Sequence, residues 1–267
     1  RTVPAPSAYR LGAENVGEAF RNSVQAAIDD MLRHGIRPAA LIVDSIFSSD
    51  GVLPDPAGFL AGAVEAIRAA GGLVIADEVQ PGFARTGSHM WGFQRHGVVP
   101  DMVTLGKPMG NGYPVAGLVV KPEVVEDFGR KARYFNTFGG NTVAVAVAAA
   151  VLDVIEGEGL MQNAAEGGAY MAPSLRELAA RHPIIDDVRG AGLFLGAEIV
   201  RDKASREPDP DITAEIVNGL REHGVLISAT GPQANILKIR PALVFTRANT
   251  DYFVDKLDQV LVRFRDR

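Results

Sequence analysis

Residues 73–87 read Leu-Val-Ile-Ala-Asp-Glu-Val-Gln-Pro-Gly-Phe-Ala-Arg-Thr-Gly, and this stretch decides how the fold is interpreted. Its first four residues form a short apolar run of the kind seen in buried parallel strands. Two carboxylates, Asp77 and Glu78, follow the run at once. Because open α/β sheets bind their ligands at the carboxyl ends of the strands, a ligand is expected beside Asp77.

The segments on either side of this stretch complete an α/β pattern. From residue 16 to 32 the apolar residues recur at helical spacing, and Gly35 is placed to end that helix. Further helices are predicted over 57–70 and 142–155, and strands over 40–43, 73–76 and 102–105. Since helices alternate with apolar strands, we predict an α/β layer with a parallel sheet.

The pattern changes after residue 155, where the elements become more polar and a charged loop occupies 201–210. Helices are predicted over 162–181, over 212–223 and from Asn249 onward, and strands over 193–199 and 236–239. We therefore predict two domains, a large one over residues 1–155 and a smaller C-terminal α/β domain over 156–267.

Composition narrows the possible functions. The chain has 267 residues, 47% of them apolar and 22% charged, which is typical of a soluble globular protein. Its formal charge of −5 offers no basic surface for nucleic acid, and no apolar run approaches the roughly 20 residues of a membrane helix. We expect a small-molecule partner, with neither nucleic acid nor membrane as a partner.

Cysteine and histidine usage bear on metals and on location. The sequence has no cysteine, which excludes disulfides and thiolate metal sites, and its histidines show no ligand spacing such as H-E-x-x-H. No metal is predicted. Because no secretory leader is visible either, the expected location is cytoplasmic.

The pair Asp77-Glu78, which follows an apolar strand, has two specific functional interpretations. The first is a carboxylate pair that holds magnesium in a nucleotide hydrolase. That interpretation requires a phosphate-binding loop. Gly106-Lys107 is followed by Pro108 and lacks a glycine five positions before Gly106, so the motif G-x-x-x-x-G-K-[ST] is absent.

The second interpretation pairs Asp77 with Lys107, which follows the predicted strand 102–105 and precedes a Gly/Pro-rich loop at 108–114. Pyridoxal phosphate needs an amine for a Schiff base and a buried carboxylate that keeps its pyridine nitrogen protonated. Glycines in the loop let the backbone approach a flat ligand closely. These two residues supply both requirements.

Three motifs then make a resemblance specific. LVIADEVQPGFARTG at 73–87, TLGKPMGNGYP at 104–114 and FNTFGGN at 135–141 resemble, in order and spacing, the signatures of the class III aminotransferases, which are fold-type I pyridoxal-phosphate enzymes. Residues 189–193 and 238–241 are similar to small-domain motifs of that family. The resemblance covers nearly the whole chain. It implies the fold-type I architecture, with a cofactor-binding large domain and a smaller C-terminal domain.

The resemblance implies roles for residues of the first two motifs. Lys107 would form the Schiff base with pyridoxal phosphate, and Asp77 would pair with the pyridine nitrogen. Val79 would pack against one face of the ring, and Gln80 would hydrogen-bond its phenolic oxygen. Glu78 belongs to the same motif and is expected to fix the loop, as is Arg85.

Two further roles involve the substrate and a second subunit. Thr137 would reach the cofactor phosphate of the neighbouring subunit, which implies a homodimer with shared active sites. Arg240 would hold a substrate carboxylate by a bidentate contact. The implied reaction moves an amino group between an amino donor and a 2-oxo acid or aldehyde by a ping-pong route.

Departures from the family leave alternatives open. Asp44-Ser45-Ile46-Phe47-Ser48 stands where members often carry Glu-Pro-Ile-Gln-Gly, and the opening residues 6–10 resemble the branch of alanine-glyoxylate-type aminotransferases and phospho-lyases. Members are substantially longer, and the amino-terminal half of the large domain, with its phosphate-cradling loop, is missing from these residues. The alternatives are a phospho-lyase acting on a phosphorylated amino alcohol and a non-catalytic truncated relative.

Overall fold

The computed structural model describes residues 1–264, and the contacts between residues group the chain into two compact units. Unit 1 consists of Arg1–Ser45, Pro56–Ala84 and His89–Gly159, and unit 2 consists of Ile46–Asp55, Arg85–Ser88 and the residues from Leu160 onward. The predicted domain division at residue 155 stays a prediction, since grouping by contacts does not test independent folding.

Unit 1 is an α/β layer built on one four-stranded sheet. Its helices are α1 (Ala8–Leu11), α2 (Val16–Arg33), α3 (Ala61–Ala69), α4 (Pro122–Lys131) and α5 (Thr142–Gly157). Its strands are β1 (Ala40–Asp44), β2 (Leu73–Asp77), β3 (Met102–Leu105) and β4 (Gly117–Val120). The strands lie in the order β1-β2-β3-β4, with the first three parallel and β4 antiparallel to β3.

The register of the parallel strands aligns their carboxyl ends. Asp44 of β1 pairs with Asp77 of β2, and Asp77 pairs in turn with Thr104 of β3. On the helical side, the buried face of α2, which includes Phe20 and Val24, packs with α3 in the core of this unit. The alignment puts the residues that follow β2 and β3 at one edge of the sheet.

The predicted elements of unit 1 are largely confirmed, with two differences. The helix predicted over 57–70 begins only at Ala61, because residues 57–60 form a turn in which Gly58 has a φ of +90°. The sheet is mixed, because the chain returns through β4 in the opposite direction. Neither β4 nor α4 was predicted from the sequence.

Unit 2 has a purely antiparallel sheet. Its helices are α6 (Leu160–Arg181), α7 (Pro210–Glu222) and α8 (Arg247–Leu261), and its strands are β5 (Ile185–Ala191), β6 (Phe194–Ile199), β7 (Ser228–Thr230) and β8 (Ile236–Ile239). The strand order is β5-β6-β8-β7. One apolar core joins the sheet to the helices, with fully buried side chains such as Leu175, Ile216 and Leu257. Across residues 1–264, no helix is both long enough and apolar enough to cross a membrane.

Candidate active site

Asp77 ends β2 with a partly buried carboxylate. Its Oδ1 accepts the backbone N–H of Val79 at 3.0 Å and the hydroxyl of Thr104 at 3.3 Å. Within the described chain its Oδ2 makes no hydrogen bond. The carboxylate is therefore held in orientation through only one of its two oxygens.

Lys107 lies just beyond the end of β3, the strand beside β2. It begins a short 3₁₀ helix, Lys107–Gly110, and its side chain is exposed. A Cβ on the preceding Gly106 would lie 3.5 Å from Cγ2 of Val79, so the backbone before the lysine stands close to the residue two positions after Asp77. The structure thus places Lys107, Asp77 and Val79 at the same edge of one sheet.

Glu78 is fully buried although it follows Asp77 directly. Its two carboxylate oxygens accept the backbone N–H groups of Gly92 at 2.7 Å and Phe93 at 2.9 Å, where a second 3₁₀ helix begins. Burial raises the pKa of Glu78 to about 7 against the effect of these two donors, and the nearby carboxylates of Asp44 and Asp77 raise it further. Through these two hydrogen bonds the Glu78 side chain fixes the loop that carries Val79 and Gln80.

His96 fixes the other end of that 3₁₀ helix, Gly92–His96. Its Nδ1 accepts the N–H of Gly58 at 3.2 Å, so its Nε2 carries the proton and donates to the carbonyl of Ser45 at 2.8 Å. Burial lowers the pKa of His96 to about 4. No sequence pattern indicated this role, because the partners are 38 and 51 residues away.

Gln80 and Thr137 lie in loops of unit 1. Gln80 is partly buried in the loop that Glu78 closes, and Thr137 is exposed in a bend between α4 and α5. The oxygen of Asn136 accepts the N–H groups of Phe138 at 3.1 Å and Gly139 at 2.9 Å, which shapes this bend. Its aromatic side chains are nearly bare, with Phe135 86% and Phe138 80% exposed.

Arg240 belongs to unit 2, where it follows β8 and is exposed. It lines an open pocket of about 630 Å³ together with Lys238 and the apolar side chains of Met171 and Phe253. The predicted site residues therefore fall into a group in unit 1, with Lys107, Asp77, Val79, Gln80 and Thr137, and a single arginine in unit 2. Among residues 1–264, no cluster of three or more histidine and carboxylate side chains is arranged to hold a metal ion.

The hydrogen-bond partners of Arg85 were not predicted from the sequence. Although it stands in the same motif as Asp77, the segment Arg85–Ser88 groups with unit 2. Its Nη1 donates to the carbonyls of Leu193, at 3.2 Å, and of Pro241. Burial, and secondarily the charge of Arg240, lowers the pKa of Arg85 to about 10.

Comparison with known proteins identifies relatives of similar sequence. The sequence is 42% identical over 255 residues to the mitochondrial alanine–glyoxylate aminotransferase 2 homolog 2 of Arabidopsis thaliana, covering 95% of this chain and 52% of that protein. It is 40% identical over 254 residues to the human mitochondrial alanine–glyoxylate aminotransferase 2, covering 94% of this chain and 48% of that protein. The chain thus spans about half the length of these relatives.

A solved structure is similar over nearly all of the chain. It is a phospholyase from Arthrobacter in complex with phosphoethanolamine, with a TM-score of 0.93 and 41% sequence identity, and the match covers 98% of this chain and 63% of that one. The likeness confirms the predicted α/β fold as part of the fold-type I architecture.

The expectation of a cytoplasmic location is wrong on this comparison, since both relatives from Arabidopsis and human are named mitochondrial. The expectation rested on composition and on the lack of a visible leader. A cysteine-free, mildly acidic chain suits the mitochondrial matrix as well as the cytosol, so composition does not separate the two.

Membership of a family follows from a match along the chain. The family model described as aminotransferase class-III matches residues 3–261. The predicted motifs at 73–87, 104–114 and 135–141 all lie inside that match. The chain belongs to the class III aminotransferase family.

Proposed function

We propose that this chain carries the catalytic centre of a pyridoxal-phosphate-dependent aminotransferase, with Lys107 as the residue that holds the cofactor. The observation that carries the proposal is the parallel register of β2 and β3, which aligns Asp77 with Thr104 and so brings Asp77 and Lys107 to one sheet edge. The family membership of the chain supports the same reaction.

Three features of unit 1 fit pyridoxal phosphate. The amine of Lys107 is exposed, Oδ2 of Asp77 is open to a ligand, and the side chain of Val79 stands against Gly106 beside them. When bound, the cofactor supplies an aldehyde that condenses with amines and a protonated ring that accepts electrons.

Each predicted site residue of unit 1 would then have its own role in binding or catalysis. Lys107 Nζ would hold the cofactor through its aldehyde and afterwards take the proton from the substrate carbon that bears the amine. Oδ2 of Asp77 would accept the hydrogen bond of the protonated ring nitrogen. Val79 would cover one ring face, and Gln80 would hydrogen-bond the phenolic oxygen.

Two further residues would take part in binding. Arg240 would bind a carboxylate of the amino donor or of the 2-oxo acid acceptor, which a guanidinium recognises in a bidentate way. Thr137 would bind the cofactor phosphate of a second subunit. The bare aromatic side chains around it, Phe135 and Phe138, support a homodimer, because exposed apolar surface of this kind marks protein interfaces.

The test is covalent labelling of the lysine. The protein is incubated with pyridoxal phosphate, reduced with borohydride and digested, and the modified peptide is identified by mass spectrometry. We expect the label on Lys107. A label on Lys121 or Lys131, which stand in or beside α4, would make the assignment wrong, and failure to bind the cofactor at all would favour a non-catalytic relative.

A second candidate is a phospho-lyase that removes phosphate from a phosphorylated amino alcohol. The likeness to the Arthrobacter phospholyase in complex with phosphoethanolamine supports it. The two reactions differ in their products. Transamination of alanine with glyoxylate forms pyruvate and glycine, whereas elimination from phosphoethanolamine followed by hydrolysis forms acetaldehyde, ammonia and inorganic phosphate and needs no amino acceptor. Measuring pyruvate and phosphate in parallel distinguishes them.

A further inference from the structure

The loop that carries Arg240 has no regular structure between the end of β8 and the start of α8, yet side chains from elsewhere hold it in place. The amide of Asn163 on α6 donates to the carbonyls of Leu243 at 2.5 Å and Phe245 at 3.2 Å. The guanidinium of Arg85 donates to the carbonyl of Pro241, immediately after Arg240. The loop is thus fixed at its far end by an amide and beside Arg240 by a second arginine.

Arg85 is itself fixed within unit 2. Its carbonyl accepts the N–H of Leu193 at 3.1 Å, while its Nη1 donates to the carbonyl of the same residue at 3.2 Å. A Cβ on Gly192 would lie 2.7 Å from the Arg85 carbonyl oxygen and 2.4 Å from the carbonyl carbon of Thr86. Only a glycine at position 192 allows the two backbones to come this close. The position of Arg85 is therefore set by its contacts with the backbone of Gly192 and Leu193.

The two guanidinium groups also interact through their charges. After burial, the charge of Arg240 contributes to the lowered pKa of Arg85. In the part of the chain that the structure describes, neither arginine forms an ion pair with a carboxylate. The pair therefore leaves a local excess of positive charge that an anion would neutralise.

We propose that Arg85 is a positioning residue for Arg240: by donating to the carbonyl of Pro241 it fixes the backbone next to Arg240, from which the Arg240 guanidinium meets a substrate anion. This inference rests on the proposed role of Arg240 in binding a substrate carboxylate. Arg85 itself does not touch the substrate.

The test compares Arg85→Met, Arg85→Lys and Arg240→Gln in the cofactor-loaded enzyme. One readout is the dissociation constant of propionate, an unreactive carboxylate, followed through cofactor absorbance. The other is the ratio of kcat/KM for alanine to that for 2-aminobutane, an amine without a carboxylate. We expect Arg85→Met to weaken propionate binding about tenfold and to lower the ratio about tenfold, mainly through KM. Arg85→Lys keeps the charge and has donors for both carbonyls, so it should stay within about threefold of the parent.

Asn163→Ala is the matched control, because it loosens the same loop without changing any charge beside Arg240. It should lower thermal stability and leave the alanine preference within about twofold. If Arg85→Met lowers stability alone while Arg240→Gln abolishes the preference, Arg85 is only structural and the inference fails by itself. If Arg240→Gln leaves the preference unchanged, the role of Arg240 is wrong and the inference falls with it. If Asn163→Ala lowers the alanine preference as much as Arg85→Met does, the order of the whole loop explains both results. The specific role of Arg85 is then wrong.

Discussion

Asp77 and Glu78 are adjacent in sequence and differ in what surrounds their oxygens. Asp77 is partly buried and has one oxygen open, whereas Glu78 is fully buried and both its oxygens accept backbone N–H groups. A carboxylate with an open oxygen can bind a ligand, and one with two occupied oxygens fixes the backbone. The strand alternation of side chains to opposite faces is what separates the two roles.

At the residue scale, Asp77→Asn should retain the cofactor and lose most turnover. The neutral amide no longer favours a protonated ring nitrogen, so the ring accepts electrons less well. We expect kcat to fall by more than about tenfold, which is roughly 1.4 kcal/mol of barrier. Asp44→Asn, at the register-matched end of β1, is the control and should have a smaller effect. A loss below tenfold for Asp77→Asn would assign Asp77 a structural role.

His96 should make stability fall with acid. Its folded pKa of about 4 lies below its ordinary value of 6.5, so the unfolded chain binds the proton more tightly. The resulting stabilisation, of about 3 kcal/mol, is fully present above pH 6.5 and is lost as the pH falls toward 4. Glu78 acts in the opposite direction: its raised pKa contributes stability that is lost as the pH rises from 4.5 to about 7.

His96→Gln isolates the histidine contribution, since glutamine keeps a donor and an acceptor and does not titrate. Urea unfolding of both proteins at pH 5 and pH 7.5 measures it. We expect the parent to lose more stability than the variant at the lower pH, by about 1 to 2 kcal/mol. Equal pH dependence of the two proteins would show that His96 is not the group responsible.

At the element scale, unit 2 is assembled through close backbone contacts at glycines. Gly192 stands against Arg85 and Thr86, and a Cβ on Gly168 of α6 would lie 2.3 Å from the Gly192 carbonyl oxygen. A Cβ on Gly87 would in turn lie 2.6 Å from the Ala165 backbone. The segment Arg85–Ser88, the turn between β5 and β6, and α6 therefore meet without intervening side chains.

Gly192→Ala should be among the most destabilising single changes in this unit. The added methyl group meets backbone rather than a flexible side chain, and the φ of +54° is unfavourable for alanine. We expect a loss of about 3 kcal/mol or more in the free energy of unfolding. Gly35→Ala is the control, with a φ of +71° but no atom within 4 Å of the new Cβ, and should cost about 1 kcal/mol. Similar losses for both variants would mean that strain in φ alone explains them.

At the scale of the whole molecule, unit 1 exposes an unusual amount of apolar surface. Helix α5 consists mostly of alanine and valine, and most of its residues are exposed, including Val143 and Val145 at 56% each. A helix that is apolar on all sides is normally covered. This exposed apolar surface and the exposed Phe135 and Phe138 are the surfaces at which the proposed homodimer would form.

Phe135→Asp should weaken the proposed homodimer. A two-fold interface loses the burial of both phenyl groups, about 4 to 6 kcal/mol in all, so we expect the dimer to dissociate at least a hundredfold more readily. Sedimentation over a range of protein concentrations measures this. Val99→Asp, at a separate position that is 65% exposed, is the control and should leave the assembly unchanged. A parent protein that is monomeric and fully active would contradict the shared active site.

The sequence by itself determined the elements around the candidate site. The apolar runs of β1, β2 and β3 and the periodic face of α2 are local patterns, and the structure confirms them within a few residues. Parallel strands bring their carboxyl ends to one edge, so the proximity of Asp77 and Lys107 followed from local pattern and topology alone. The predicted roles of these two residues stay predictions until they are tested.

Only the tertiary structure decided which distant residues complete these elements. Arg85 belongs to the same sequence motif as Asp77 but groups with unit 2, where its contacts are 108 and 156 residues away. Similarly, Arg189 donates to the carbonyl of Gly51, 138 residues away. This hydrogen bond connects the segment Ile46–Asp55 to the rest of unit 2. Contacts of this kind leave no periodic signal, because they join side chains to backbone groups that every residue possesses. The sequence therefore shows where most of the strands and helices form. Long-range hydrogen bonds, which the sequence does not show, determine which loops pack against those elements.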